Sequence, residues 1–566
     1  MNYLDEYDFW ISDPCFDSDT KAELKRLDPV KDKKEIEDRF YQNLSFGTGG
    51  LRGIMGAGTN RINKYTVGRA TLGLAKCLLE RFGEEAKERG VAIGYDTRRN
   101  SKSYSMVAAN VLSAMGFRVY LHSEARPTPQ LSFSVRYWNC IAGIVITASH
   151  NPKEYNGYKV YDQYGCQLVP SQAETVTKYI NEIQDYRTVC FTGCPRLIEH
   201  VDITEEFLNA VGKQSRLSDN QIKKGLSIVY TPLHGTGFIP VTSVLHKDGF
   251  ENLVCVAEQA ELNGDFPTVV SPNPEDRRAL EMGISLAEKT HADIVLGTDP
   301  DCDRVGVAVR DENGNFAVLT GNQVGALLMD YIGNHTSTAG LKPAVIKTVV
   351  TSELGAEIAK KHGIAVFDTL TGFKFIGEKI TQFEKAKQVG RKEIDYDFLF
   401  GYEESYGYLT GTHARDKDAV VSSLLICEMA AEYKAEGKTL KKKLEELYAE
   451  YGYYRDELES FTIKGKEGME RIKSIMEMLR KEPSPFSNTV KIIDFEKDVI
   501  INEVFGALPK SNVLKYVLSD SSWIAIRPSG TEPKIKIYYS IKADSKDEAE
   551  IKLSKIQTII KNKLGL

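Results

Sequence analysis

Short unbroken apolar runs alternate with longer polar stretches of helical spacing along most of this chain. Val91-Ala-Ile-Gly-Tyr-Asp96 reads as a strand. A helical stretch runs on to Met115, Gly116 stops it, and Phe117-Arg-Val-Tyr-Leu121 reads as a second strand. The plan returns as Leu226-Ser-Ile-Val-Tyr230, a helix, Gly249 and Leu253-Val-Cys-Val256. It returns again as Ala344-Val-Ile-Lys-Thr-Val-Val350, a helix, Gly363 and Ile364-Ala-Val-Phe367. Strand, polar loop, helix, glycine at C′, strand is the order of a βαβ unit. Three copies spaced by more than a hundred residues predict three related α/β domains rather than a short-period solenoid.

The two ends differ. Residues 1–45 are charged and helical in pattern, with Lys31 to Arg39 as a solvated face. Residues 423–450 form one long helical pattern ending near Tyr451-Gly452, and the extended segments beyond it alternate. Trp523-Ile-Ala-Ile526 and Lys534-Ile-Lys-Ile-Tyr-Tyr539 read as an antiparallel pair, and an amphipathic helix runs from about Lys546 to Leu564. The expected fold class is α/β: three related α/β domains with mixed sheets (1–204, 205–319 and 320–450) and a smaller C-terminal α+β domain, 451–566.

At 566 residues the chain is too long for one core. Apolar residues at 42% and charged residues at 27% suit a soluble globular protein. A net charge of -6 argues against a general nucleic-acid binder, which needs a basic face. The nine cysteines lack paired metal spacing: Cys190 and Cys194 have no second pair, which argues against zinc. The first residues lack a signal-peptide pattern and no apolar run reaches membrane length, so the expectation is a cytoplasmic protein with reduced thiols and no membrane partner.

Five loops carry candidate chemistry. Cys140-Ile-Ala-Gly-Ile-Val-Ile146 predicts a buried parallel strand, and it ends in Thr147-Ala-Ser-His-Asn-Pro152, a sharp polar turn. Ligands bind at the carboxyl ends of strands in open α/β sheets. A serine there, beside an imidazole, is a candidate nucleophile; the plainer reading has Ser149 and Asn151 only satisfying turn backbone. Phe46-Gly-Thr-Gly-Gly-Leu-Arg-Gly53 sets four glycines around Arg52, a pattern that lets backbone amides and a guanidinium converge on an anion. Asp299-Pro-Asp-Cys-Asp-Arg304 follows the strand Asp293 to Thr298; if extended, its alternate residues Asp299, Asp301 and Asp303 converge on one side. Three close carboxylates repel unless a cation sits among them, and oxygen ligands select Mg²⁺, Mn²⁺ or Ca²⁺. Gly401-Tyr-Glu-Glu-Ser-Tyr-Gly407 suits vicinal sugar hydroxyls, with His413 to Asp418 adding basic side chains before a helix. Arg527-Pro-Ser-Gly-Thr-Glu-Pro-Lys534 resembles a phosphate cradle.

Taken together, these loops closely resemble those of the α-D-phosphohexomutase superfamily, the phosphoglucomutases and phosphomannomutases, in the family's order and over nearly the whole chain. The resemblance implies four domains around a central cleft. It implies Ser149 as the phosphorylated serine, and Asp299, Asp301 and Asp303 as ligands of one Mg²⁺ with the serine phosphate. Glu403 and Ser405 match the sugar-binding pair, and Arg527, Ser529, Gly530 and Thr531 the phosphate loop. Arg52, His150, Arg304, Lys374 and Lys417 fall at supporting positions, and the general base is left open between Lys417 and His150. The implied reaction interconverts glucose 1-phosphate and glucose 6-phosphate through a phosphoserine, with glucose 1,6-bisphosphate as intermediate and activator. Glu403-Glu404-Ser405 resembles the glucose-directed members. A phosphopentomutase or phosphomannomutase remains the alternative within the family. Outside it stand an aspartate-nucleophile phosphatase with Asp299 as the covalent residue, and a non-catalytic phosphosugar sensor. Oligomeric state is not legible.

Overall fold

The structure, a computed structural model, describes the chain apart from residues 1, 48–49, 338, 464–465, 503–505, 530–533 and 566. It divides into two units, the first of residues 1–309, 316–318 and 407–432, the second of residues 310–315, 319–406 and 433–566.

In the first unit the three expected copies of the βαβ plan begin with Val91–Tyr95, helix Ser101–Ala114 and Val119–His122, all parallel. The strand Val91–Tyr95 also pairs in parallel with Ala142–Ile146, and every residue of both is buried. Burial on both faces is why these strands read as unbroken apolar runs instead of alternating. Two antiparallel strands, Tyr155–Tyr161 and Gly50–Ile54, extend the sheet beyond Ala142–Ile146, and Ile198–Val201 closes the other edge, giving six mixed strands. A second, five-stranded mixed sheet runs Phe316–Val318, Val305–Arg310, Ile294–Thr298, Ile228–Thr231 and Leu253–Cys255.

In the second unit Pro343–Thr348 lies in parallel between Ala365–Thr369 and Asp397–Glu403, with helix Leu354–Lys361 as the crossover. Each of the three crossover helices ends at a glycine of positive φ: Gly116 (87°), Gly249 (100°) and Gly363 (70°). A Cβ is strained there, so the stop signal and its conformation agree. The C-terminal part is a five-stranded antiparallel sheet ordered Tyr453–Thr462, Lys534–Ala543, Trp523–Pro528, Leu514–Leu518 and Thr489–Asp494. Alternate residues Ile535, Ile537, Tyr539 and Ile541 face a core that includes Ile472, Leu479 and Leu553 of helices Lys466–Lys481 and Lys546–Leu564. The α/β class with a smaller C-terminal domain is what the apolar periodicity predicts.

Two expectations need correction. The pattern over 423–450 is two helices, Ala419–Ala435 and Leu440–Tyr451, separated by a turn at Gly437; continuous amphipathic spacing hid the break. The run Lys31 to Arg39 is not simply a solvated face. Helix Lys33–Phe40 buries Ile36 and Phe40 in an aromatic cluster with Tyr7, Trp10, Phe16, Tyr65 and Tyr186.

Candidate active site

The site in the first unit starts from one buried ion pair. Asp96, just beyond the strand Val91–Tyr95, and Arg98 lie 3.4 Å apart with both side chains fully buried. Asp96 accepts from Ser101 Oγ (2.7 Å) and from Thr147 Oγ1 (2.7 Å), which fixes the first residue of the serine loop. Thr147 Oγ1 accepts in turn from the Ser149 amide at 2.8 Å. Arg98 holds the other side of the loop. Its guanidinium donates to the carbonyls of Ser149 (2.5 Å), Asn151, Pro152 (2.8 Å) and Tyr155 (3.1 Å). Ser149 sits at φ 52°, a conformation that a non-glycine residue keeps only when its surroundings impose it. Its Oγ donates to Asp299 Oδ2 at 2.7 Å and lies 3.2 Å from His150 Nδ1.

The three aspartates meet, but not through an extended loop. Ile294–Thr298 and Val305–Arg310 form an antiparallel hairpin in register Thr298 to Val305. Cys302, at φ 51°, closes the tight turn, its amide donating to the Asp299 carbonyl at 2.9 Å. The amides of Asp303 and Arg304 both donate to Asp299 Oδ1, at 3.1 and 3.0 Å. Carboxylate oxygens of Asp299, Asp301 and Asp303 lie within 4.8 Å of one another, and all three residues are buried. Asp301 Oδ2 accepts from Thr128 Oγ1 (2.8 Å) and Lys159 Nζ (2.9 Å). Asp303 Oδ2 faces Lys417 Nζ at 3.0 Å. Asp301 Oδ1 and Asp303 Oδ1 are buried with no hydrogen-bond partner among the described residues. Orphaned buried carboxylate oxygens are costly, so this donor set fits a hard divalent cation.

The electrostatics are those of a crowded anionic centre. Burial, then Asp301 and Asp303, raise the pKa of Asp299 well above the usual carboxylate value. Burial works the same way on Asp301, but the bonded Lys159 ammonium overrides it and holds that carboxyl low. Burial and the Arg304 and Arg52 guanidinium groups push His150 well below the usual histidine value, so its ring is neutral near pH 7. Arg304 is ion-paired with Glu275, its Nε 3.8 Å from Asp303. Arg52 is exposed on Gly50–Ile54, opposite Gly157. Lys417 also contacts Asp416 at 3.1 Å, and Asp416 accepts from Tyr161 Oη at 2.7 Å.

Further along the first unit, His413 and Asp418 form a helix cap. Asp418 Oδ1 accepts from the amides of Val420 (2.8 Å) and Val421 (3.1 Å), while His413 Nε2 lies 2.8 Å from Oδ2.

The remaining candidates lie in the second unit. Glu403 ends the strand Asp397–Glu403, buried, and accepts from the Gly372 amide at 2.8 Å. Lys374 is buried in the first turn of helix Phe373–Gln388, two residues on from Gly372. Ser405 stands half-buried in the turn that follows the strand. Arg527, half-buried, is beside the Tyr538 hydroxyl; burial raises that phenol's pKa, as do Glu404 and Glu403, and Arg527 lowers it. The Ser529 amide donates to the Lys534 carbonyl at 2.8 Å. Gly530 and Thr531 lie outside the described residues.

Reading the sequence missed four groups of the first unit: Arg98, Thr128, Lys159 and Asp416. Lys159 had a signal, a lysine inside the aromatic strand Tyr155–Tyr161. Arg98, one of two adjacent arginines after Asp96, had none.

A fold of mixed α/β layers, with a serine set against three aspartates, defines the class. Four family models match: phosphoglucomutase/phosphomannomutase alpha/beta/alpha domains I (residues 43–187), II (205–314) and III (320–451), and the C-terminal domain (472–554). The chain belongs to the phosphoglucomutase/phosphomannomutase family of phosphosugar-isomerising enzymes, the α-D-phosphohexomutases. Among individual relatives, it is 38% identical over 542 residues to a phosphoglucomutase of Staphylococcus aureus, covering 92% of this chain and 94% of the other. In fold it is similar to parafusin, a phosphoglucomutase from Paramecium (TM-score 0.67, 19% identity, 93% of this chain and 95% of that one). It is similar as well to a putative phosphomannomutase from Thermus thermophilus (TM-score 0.64, 23% identity, 92% and 99%).

Proposed function

We propose that the enzyme interconverts α-D-glucose 1-phosphate and glucose 6-phosphate through a phosphoserine at Ser149 and a glucose 1,6-bisphosphate intermediate. The observation that carries this reading is Ser149 Oγ, 2.7 Å from Asp299 at the edge of a buried three-carboxylate cluster. Phosphoryl transfer asks the protein mainly for in-line placement and charge neutralisation. Asp96, Thr147 and Arg98 provide the placement, since they hold the serine loop from both sides. His150, neutral and 3.2 Å from Oγ, is in place to take and return the serine proton. Lys159, Lys417 and Arg304 are the cations around the aspartates.

Asp299, Asp301 and Asp303, with the Ser149 phosphate, would hold one Mg²⁺. When bound, the ion supplies charge neutralisation on the phosphoryl oxygens. Following the family pattern, Glu403 and Ser405 take the sugar hydroxyls, with Lys374 and Arg52 supporting. Arg527, Ser529, Gly530 and Thr531 take the phosphate that is not reacting.

The S. aureus relative's name supports glucose over mannose or pentose phosphates. An aspartate nucleophile is disfavoured because Asp299 Oδ1 already accepts from two backbone amides and Oδ2 from Ser149. No described helix is long and apolar enough to cross a membrane. All nine cysteines are free, which supports placing the enzyme in the reducing cytoplasm.

Phosphorus NMR of the enzyme with glucose, mannose, glucosamine and ribose 1-phosphates, each primed with bisphosphate, tests the proposal. Fastest conversion of glucose 1-phosphate is expected. Preference for ribose 1-phosphate would make the enzyme a phosphopentomutase, and no conversion of any substrate would refute the reading.

A further inference from the structure

Away from the serine and aspartates, the first unit holds a cavity of about 270 Å³. Its walls come from stretches far apart in sequence: the N-terminal helix at Glu6 and Phe9, the segments at Asn43 and Thr59, helix Lys64–Phe82 at Arg69, and residues Ile183 to Arg187. None of them belongs to the serine site.

Arg69 is only 8% exposed, and its Nε is buried with no hydrogen-bond partner among the described residues. It is in no ion pair among the described residues; Glu6, the acid whose titration feels it, raised chiefly by its own burial, is not bonded to it. Tyr186, 7% exposed, has a buried hydroxyl beside the Arg69 guanidinium, with no other hydrogen-bond partner among the described residues. Burial raises that phenol to about 12 against the pull of Arg69, so it remains a hydrogen-bond donor at neutral pH. The guanidinium and the phenol that neighbours it line one cavity with no carboxylate bonded to either among the described residues, and together they are donors awaiting an anion, because buried cations are otherwise paired.

We propose that this cavity is a second small-molecule site and that its ligand is a small organic monocarboxylate. A carboxylate offers two acceptor oxygens to the guanidinium fork and the hydroxyl. Phe9 and Ile183 give the carbon portion an apolar wall. Glu6 and Asp185 offset Arg69 and Arg187 in the lining, so the cavity carries no surplus positive charge for a dianion, which selects a monoanion over a phosphate ester. The volume is at the small end for ligand pockets, which suits a single ring or a short chain.

Calorimetry and saturation-transfer NMR with sodium benzoate, on the whole enzyme, test the assignment. Benzoate should bind the wild type at low millimolar concentration or tighter. Loss of the charge-assisted bond in Arg69→Gln should weaken binding by about tenfold or more. Gln184→Trp, which narrows the cavity from an exposed position in its wall and leaves the guanidinium alone, should weaken it comparably. Both variants should keep mutase turnover, and excess glucose 1-phosphate should leave benzoate bound. Absence of benzoate binding, undiminished binding in both variants, or displacement by glucose 1-phosphate would each overturn the proposal.

Discussion

Replacing Arg98 with lysine separates charge from geometry at the point where the serine loop is held. The guanidinium spans four backbone carbonyls, those of Ser149, Asn151, Pro152 and Tyr155, and lies 3.4 Å from Asp96 with no exposure to water. A lysine keeps the charge opposite Asp96, but a single ammonium cannot reproduce the planar fork. At least two of the four carbonyls then lose their donor. A hydrogen bond to a charged group contributes about 1.5–3 kcal/mol, so two lost bonds cost about 3–6 kcal/mol. That is a large fraction of the 5–15 kcal/mol typical of a folded domain. The same bonds keep Ser149 at φ 52°, a conformation costing about 1–3 kcal/mol when unsupported. Released, the loop relaxes and Oγ moves from its place beside Asp299; a displacement of about 1 Å costs about a hundredfold in rate. Arg98→Lys should therefore lower the urea midpoint of the first unit and reduce kcat about a hundredfold. Arg99→Ala is the control: Arg99 is 64% exposed and its ion pair with Asp265 is worth about 1 kcal/mol or less. Urea unfolding followed by circular dichroism, with steady-state kinetics on the same preparations, reads both effects. Wild-type stability and turnover in Arg98→Lys, or equal losses in Arg99→Ala, would show that the guanidinium does not hold the loop.

Intact mass after incubation with glucose 1,6-bisphosphate should show one exchangeable phosphoryl group, absent from Ser149→Ala; an active, phosphorylated alanine variant would end the serine assignment. Chelation should abolish turnover, and Mg²⁺ should restore it better than Zn²⁺, which favours nitrogen and sulfur donors; full activity in excess chelator would refute the cation site. Asp456 titrates differently. Burial pushes its pKa from 3.8 up to about 6, and Oδ1 has no partner among the described residues. The folded state then binds a proton more tightly than the unfolded chain, so stability falls as pH rises from about 4 to about 6 and stays lowered above that. Asp456→Asn should add about 3 kcal/mol at pH 8, at about 1.4 kcal/mol per pKa unit, and almost nothing near pH 4. A gain equal at both pH values would contradict the titration.

The sequence by itself was enough for features whose partners are neighbours along the chain. The three βαβ units were legible because strand, helix and C′ glycine each follow from a few adjacent residues, and Gly116, Gly249 and Gly363 adopt the left-handed conformation their positions imply. The aspartate cluster was legible because Asp299, Asp301 and Asp303 fall within five consecutive residues, although a hairpin turn with Cys302 at positive φ, not an extended loop, brings them together. The break near Gly437 was not, since amphipathic spacing continues across it.

Tertiary structure alone decided what meets across long separations. Ser149 reaches Asp299 across 150 positions, Thr128 reaches Asp301 across 173, and Lys159 reaches Asp301 across 142. Arg98 reads as one more surface arginine until the fold removes water from it and leaves four carbonyls as its partners. Local sequence sets backbone periodicity and turns through neighbouring atoms. A side chain's charge state and bonding depend instead on which remote groups exclude its water, and those contacts exist only after the strands and loops have packed.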